Sequence, residues 1–136
     1  MWLMKYLIDT HILIWLAISP QNISKRILPI LENTANRLYV STVTLWEIAI
    51  KLSIGKLNLQ GLEISDLVQF CNEQNIEIIQ LPISAVVQYK NLPIKDNHKD
   101  PFDRFLISLC IADDYILVSS DSKADLYKED GLIYIG

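Results

Sequence analysis

The chain predicts an α/β protein built on a parallel sheet, and three observations carry that prediction. Strand-like apolar runs alternate with stretches of helical spacing along the 136 residues, which implies parallel pairing through crossover connections. No internal repeat or low-complexity segment interrupts the alternation. Two of the apolar runs end directly in a carboxylate, Asp9 after YLI and Asp121 after LVSS, and the carboxyl ends of parallel strands are where ligand-binding loops diverge.

Residues 3 to 8 read as the first strand, and residues 10 to 18 as a helix stopped at Ser19-Pro20. Residues 24 to 35 read as a helix capped by Ser24, with Pro29 expected to kink or split it because proline lacks an N–H donor. LYVS at 38 to 41 is the second strand. TVTLWEIAIKLSIG follows as a helix ending at Gly55, with Thr44 and Glu47 matching a capping box. Leu67, Val68, Phe70 and Cys71 give residues 65 to 74 an amphipathic helical face before the strand IEIIQL, and Pro82 and Ser84 open a further short helix. The polar stretch NLPIKDNHKDP breaks the pattern and ends in Pro101, a favoured first residue of the helix 101 to 113. Strands at 116 to 119 and, as an edge, 132 to 135 complete the reading.

The length suits one domain, 1–136, able to bury an ordinary core. Hydrophobic residues at 51% against 21% charged exclude disorder and leave apolar surface in excess, which points to self-association. The longest apolar run, ILIWLAI, is too short to span a membrane, and the N-terminal segment lacks a cleavable signal pattern, so a cytoplasmic protein is expected. Cys71 and Cys110 are two lone thiols in apolar surroundings, expected to be buried and reduced. A net charge of −4 argues against a broadly basic nucleic-acid surface, but an acidic cluster that binds cations carries such a charge itself.

Asp9, Glu47, Asp100, Asp103 and Asp121 all fall at or near strand-to-helix junctions far apart in sequence. Asp100 and Asp103 flank a helix start, where an N-cap or first-turn acid is the ordinary role. Convergence of the set at one sheet edge gives a different meaning. Gathered carboxylates repel and resist ionisation until a cation joins them, and all-oxygen ligands suit Mg²⁺ or Mn²⁺ better than zinc. Such a cluster is arranged for phosphodiester hydrolysis by a metal-activated water.

LIDTHILIW, SxxTLWEIAIKxxxGKL, LPxxxxHKDPFDRFLIS and LVSSD occur in that order over nearly the whole chain, which thereby resembles PIN-domain proteins of the VapC toxin type. The resemblance implies a three-layer α/β/α fold with about five parallel strands. It also implies Mg²⁺- or Mn²⁺-dependent endoribonuclease activity, a homodimer and inhibition by a cognate antitoxin. The family's four acids fall on Asp9, Glu47, Asp103 and Asp121, with Asp100 as the additional aspartate of this branch. Asp9 and Asp103 are expected to bind metal directly, and Glu47 and Asp121 to orient metal-bound waters.

Thr10 is open between two roles, a hydrogen bond to a ligand carboxylate or phosphate and an ordinary helix cap. Arg104 is expected to brace a carboxylate, with a phosphate contact as the alternative, His11 and His98 to be structural or phosphate contacts, and Trp15 and Trp46 to be core or dimer contacts. Lys51, Lys56 and Lys99, with Lys90 and Lys95, are candidates for an RNA-tracking rim. Asp125 rivals Asp121 as the fourth acid, but only Asp121 directly follows its strand. The competing readings are a PIN-like module that binds RNA or protein without cutting, and a receiver-type phosphotransfer domain. The second lacks an acidic pair around Asp9, and no GxGxxG supports dinucleotide binding.

Overall fold

Five parallel strands form the centre of the protein in a computed structural model that describes residues 4–136. They are β1 (Lys5–Ile8), β2 (Arg37–Ser41), β3 (Ile76–Ile79), β4 (Ile116–Val118) and β5 (Ile133–Ile135), in the spatial order β3-β2-β1-β4-β5. The predicted start of the first strand at Leu3 lies outside the described residues. The chain winds outward from β1 to β3, then returns to place β4 on the other side of β1. The strand order therefore reverses between β1 and β4, and the crevice beyond their carboxyl ends is the expected place for a ligand.

Strand periodicity divides the interior into two cores. Leu7, Tyr39 and Leu117 are in register and face one side, while Tyr6, Ile8, Leu38, Val40 and Val118 face the other. Helices α1 (Thr10–Ile18), α3 (Thr42–Ser53) and α4 (Ile64–Glu73) cover the second set through Ile12, Leu13, Ile48, Leu67 and Cys71. Helices α5 (Ile83–Asn91) and α6 (Pro101–Asp113) cover the first through Ala85 and the continuous buried run Phe105–Cys110. The architecture is three-layer α/β/α. Cys71 and Cys110 are buried and unpaired with each other. Among the described residues no helix is long and apolar enough to cross a membrane.

Three local expectations are corrected. The helix predicted over 24–35 is only α2 (Leu28–Glu32), and Pro29 sits in its first turn, where no donor is needed, so the proline starts the helix instead of kinking it. Thr44 and Glu47 form no capping box. The helix begins at Thr42 as expected, but its cap is Ser41, the last residue of β2, which accepts from Val43 N at 3.1 Å and lies three residues before Thr44. Residues Ser122–Asp130 form a 3₁₀ segment that the sequence reading leaves as loop; it buries Ala124 and Tyr127 at the three-residue spacing such a helix requires. Gly55 does terminate α3, at φ +71°, with Lys56 N on Lys51 O and Gly55 N on Leu52 O, the paired bonds of a Schellman ending.

Candidate metal centre

Each acid at the crevice is held by the local structure that its own backbone begins. Asp9 extends the β1–β4 ladder, its N–H donating to Val118 O at 3.0 Å, while its Oδ1 caps α1 by accepting from Ile12 N at 2.8 Å. Asp121 does the same after β4, its Oδ1 accepting from Lys123 N at 2.9 Å and its N–H donating to Ser119 Oγ. Asp100 caps α6, its Oδ1 accepting from Phe102 N and Asp103 N. A capping bond fixes the rotamer and occupies one oxygen, and of the three capping acids Asp9 and Asp121 line the crevice. Asp103, one turn into α6, projects into the same space.

Asp9, His98, Asp103, Ser119 and Asp121 line a cleft of about 10 Å³, floored by Leu106, Ile107 and Leu117. His98, Asp103 and Asp121 bring ligand atoms within 4.8 Å of one another. The charges converge on Asp103, whose carboxyl is pushed up to about 7 by burial and then by the negative fields of Asp100, Glu47, Asp121 and Asp9. Asp9 is also raised, chiefly by burial, against the lowering effect of its bonds from Ser119 and Ile12. Burial lowers His98.

These residues suit a small hard cation. The cleft has the space of one water-sized sphere, its polar lining is mostly carboxylate, and burial raises both Asp9 and Asp103, an ionisation cost that a cation beside them would offset. Asp9, Asp103 and Asp121 are the residues that would hold it.

Glu47 stands behind this cleft and not in its lining. It is buried in α3, accepting from Thr10 Oγ1 at 2.6 Å and from Lys51 Nζ at 2.6 Å, so both oxygens are satisfied. Thr10 thus bonds a carboxylate, while the cap of α1 is Asp9. Lys51 is engaged with Glu47 and feels Asp100 and Asp103, which places a cation at the edge of the acidic set. Lys56 follows the far end of α3, roughly two and a half turns beyond Glu47. Lys99 is exposed beside Asp100; Lys95 is instead bound to Glu129 and Asp130. Asp125 is exposed and paired with Lys128 at 2.9 Å, away from the cleft that Asp121 lines.

Arg104 corrects the expectation of a carboxylate brace. Its buried guanidinium donates to Leu92 O, Pro93 O, His98 O and Tyr127 Oη, and among the described residues it forms no ion pair. The reason is direction: Arg104 follows Asp103 on α6 by one residue, about 100° around the helix axis, and so points away from the cleft towards the 92–98 loop. Tyr127 is the residue that sequence reasoning missed. Its only signal was the Ala124–Tyr127 spacing within a polar stretch.

The PIN domain family profile matches residues 6–129. Among curated proteins no sequence matches the chain. Among solved structures, the chain is similar to one in VapBC2 from Rickettsia felis bound to a promoter DNA fragment, at 20% identity and a TM-score of 0.68, covering 97% of this chain and 98% of that one. It is likewise similar to a chain of VapBC-1 from nontypeable Haemophilus influenzae, at 20% identity, TM-score 0.66 and 97% coverage of each. A chain of DNA-bound VapBC from Salmonella typhimurium matches at 15% identity, TM-score 0.66 and 98% coverage of each. These likenesses establish a shared fold, and the profile spans the two outer acids, Asp9 and Asp121, with everything between them. The chain belongs to the PIN domain family.

Proposed function

We propose that the chain is a VapC-type toxin, a Mg²⁺- or Mn²⁺-dependent endoribonuclease that hydrolyses RNA phosphodiester bonds. The observation that carries this reading is the convergence of Asp9, Glu47, Asp100 and Asp121 on Asp103 at a cleft sized for one ion. Asp9 and Asp103 would hold the cation, with Asp121 lining the same cleft. When bound, the ion supplies Lewis-acid activation of water and neutralises charge on the phosphate.

The chain's own groups do the rest. Glu47, fixed by Thr10 and Lys51, keeps a negative field behind the cleft. Asp100 holds the start of α6 and with it the angle of Asp103. Lys51 and Lys99 offer positive charge to the RNA backbone at the cleft's edge. The protein partners of this reading are a cognate antitoxin and a second copy of the chain, in the cytoplasm. Exposed Trp46, Ile83, Val86 and Val87 provide apolar surface for such contacts.

The test is RNA cleavage by the purified chain. Cleavage should require Mg²⁺ or Mn²⁺, stop on chelation, and vanish in Asp9→Asn. Cleavage that persists in chelator, or in that variant, would contradict the proposal.

A further inference from the structure

We infer that His98 is a positioning residue of the metal centre and not one of its ligands: its Nε2–H is aimed into the cleft to hold the Asp103 carboxylate. The inference rests on the reading of the cleft as a cation site. His98 is 3% exposed, its Nε2 is buried without a partner, and that atom lies 3.7 Å from Asp103 Oδ2, roughly half an ångström beyond an ordinary N–H···O bond.

Which ring nitrogen carries the proton follows from a chain of hydrogen bonds behind the imidazole. Arg104 can only donate, and its Nη1 lies 3.1 Å from Tyr127 Oη, so the phenol oxygen accepts there. The phenol's own proton then needs an acceptor, and Tyr127 is fully buried. His98 Nδ1, at 3.0 Å, is that acceptor. A ring that accepts at Nδ1 carries its proton on Nε2. The opposite tautomer, which alone could ligate metal through Nε2, would present two donors to one phenol oxygen and strand the phenol proton in the interior.

Arg104 and Tyr127 therefore dictate what His98 offers to the cleft: a donor, complementary to a carboxylate and unable to bind a cation. A donor on one oxygen of Asp103 restricts its rotation and leaves the remaining lone pairs for the ion. Loss of such an outer contact typically weakens metal binding 10–100-fold.

Two measurements on the full chain test this. Nitrogen-15 NMR of the imidazole, in metal-free and Mg²⁺-loaded protein, should show Nε2 protonated and Nδ1 unprotonated in both. A ring protonated at Nδ1 in either state overturns the inference. Mn²⁺ titration calorimetry should show binding weakened about 10–100-fold in His98→Phe and largely restored in His98→Gln, whose amide donates from near the Nε2 position. Wild-type affinity in a folded His98→Phe removes the role of His98 alone. A wild-type chain that binds no Mn²⁺ overturns both this inference and the cation reading beneath it, whereas one that binds Mn²⁺ without cutting RNA overturns only the nuclease proposal. Should His98→Phe fail to fold, the NMR result decides.

Discussion

Replacing Asp103 with asparagine is expected to make the metal-free protein more stable at neutral pH while abolishing RNA cleavage. In the folded chain Asp103 keeps its proton up to about pH 7, whereas an ordinary aspartate releases it near 3.8. The folded state binds the extra proton between those values. Its contribution to stability is therefore full below about pH 4 and is lost as pH rises through about 7. Above that range the ionised Asp103 faces Asp100, Glu47, Asp121 and Asp9 with one-third of its side chain exposed. Solvent screening at that exposure reduces the penalty to about 1–2 kcal/mol, or a few degrees in Tm.

Asparagine is nearly isosteric and uncharged. The expected difference in Tm between Asp103→Asn and the wild type is near zero at pH 4 to 5 and positive at pH 8, measured by thermal unfolding in chelator. Mn²⁺ should raise the wild-type Tm at pH 8 and leave the variant's almost unchanged, since only the wild type can exchange its proton for the ion. Cleavage should fall by a factor on the order of 10³, the equivalent of several kcal/mol of charge stabilisation. A variant less stable than wild type at pH 8 would contradict the picture of a cluster under repulsion.

Arg104→Met is expected to have the largest effect on stability. Methionine keeps much of the apolar stem but leaves the carbonyls of Leu92, Pro93 and His98 and the hydroxyl of Tyr127 without their shared donor. Buried hydrogen bonds to a charged group contribute about 1.5–3 kcal/mol each, and they are not additive, so a loss of about 3–4 kcal/mol is expected. That corresponds to a fall in Tm on the order of 10 °C.

The loop that Arg104 holds also carries backbone strain. Asp96 and Asn97 are consecutive left-handed residues, at φ +48° and +59°, a conformation that Asp and Asn tolerate better than other side chains. Released from Arg104, residues 92–98 are expected to relax and take His98 out of the cleft. Arg104→Lys should recover less than half of the loss, because one ammonium cannot reach acceptors spread over that fork. Chemical denaturation of both variants checks this, and a near-neutral Arg104→Met would contradict it.

The acids of the centre were legible because each sits where a sequence pattern changes. Asp9 and Asp121 end apolar strand runs and Asp100 precedes a helix-initiating proline, so chain-local signals placed them at one sheet edge. The order of the strands decides that these edges adjoin, and parallel β1 and β4 meet although more than a hundred residues separate them. The bond between Glu47 and Lys51 was readable in principle from their four-residue spacing, which puts them on one helix face.

The support behind the centre was not legible. Arg104, Tyr127 and His98 meet from a helix, a 3₁₀ segment and a loop, and neither of the last two has a strong period. Proximity to Asp103 in sequence suggested that Arg104 would pair with it, yet adjacent helical residues point in different directions. The cap of α3 was misplaced for a related reason. Ser41 ends a strand and caps a helix at once, so no loop marks the junction.

The most direct test of the account is a crystal grown with saturating Mn²⁺ at pH 8 and measured at the manganese absorption edge. One anomalous peak is expected in the cleft bounded by Asp9, Asp103 and Asp121, with His98 Nε2 turned to Asp103 and outside bonding distance of the ion. An empty cleft under those conditions would contradict the claim that these distant acids fold into a single cation site.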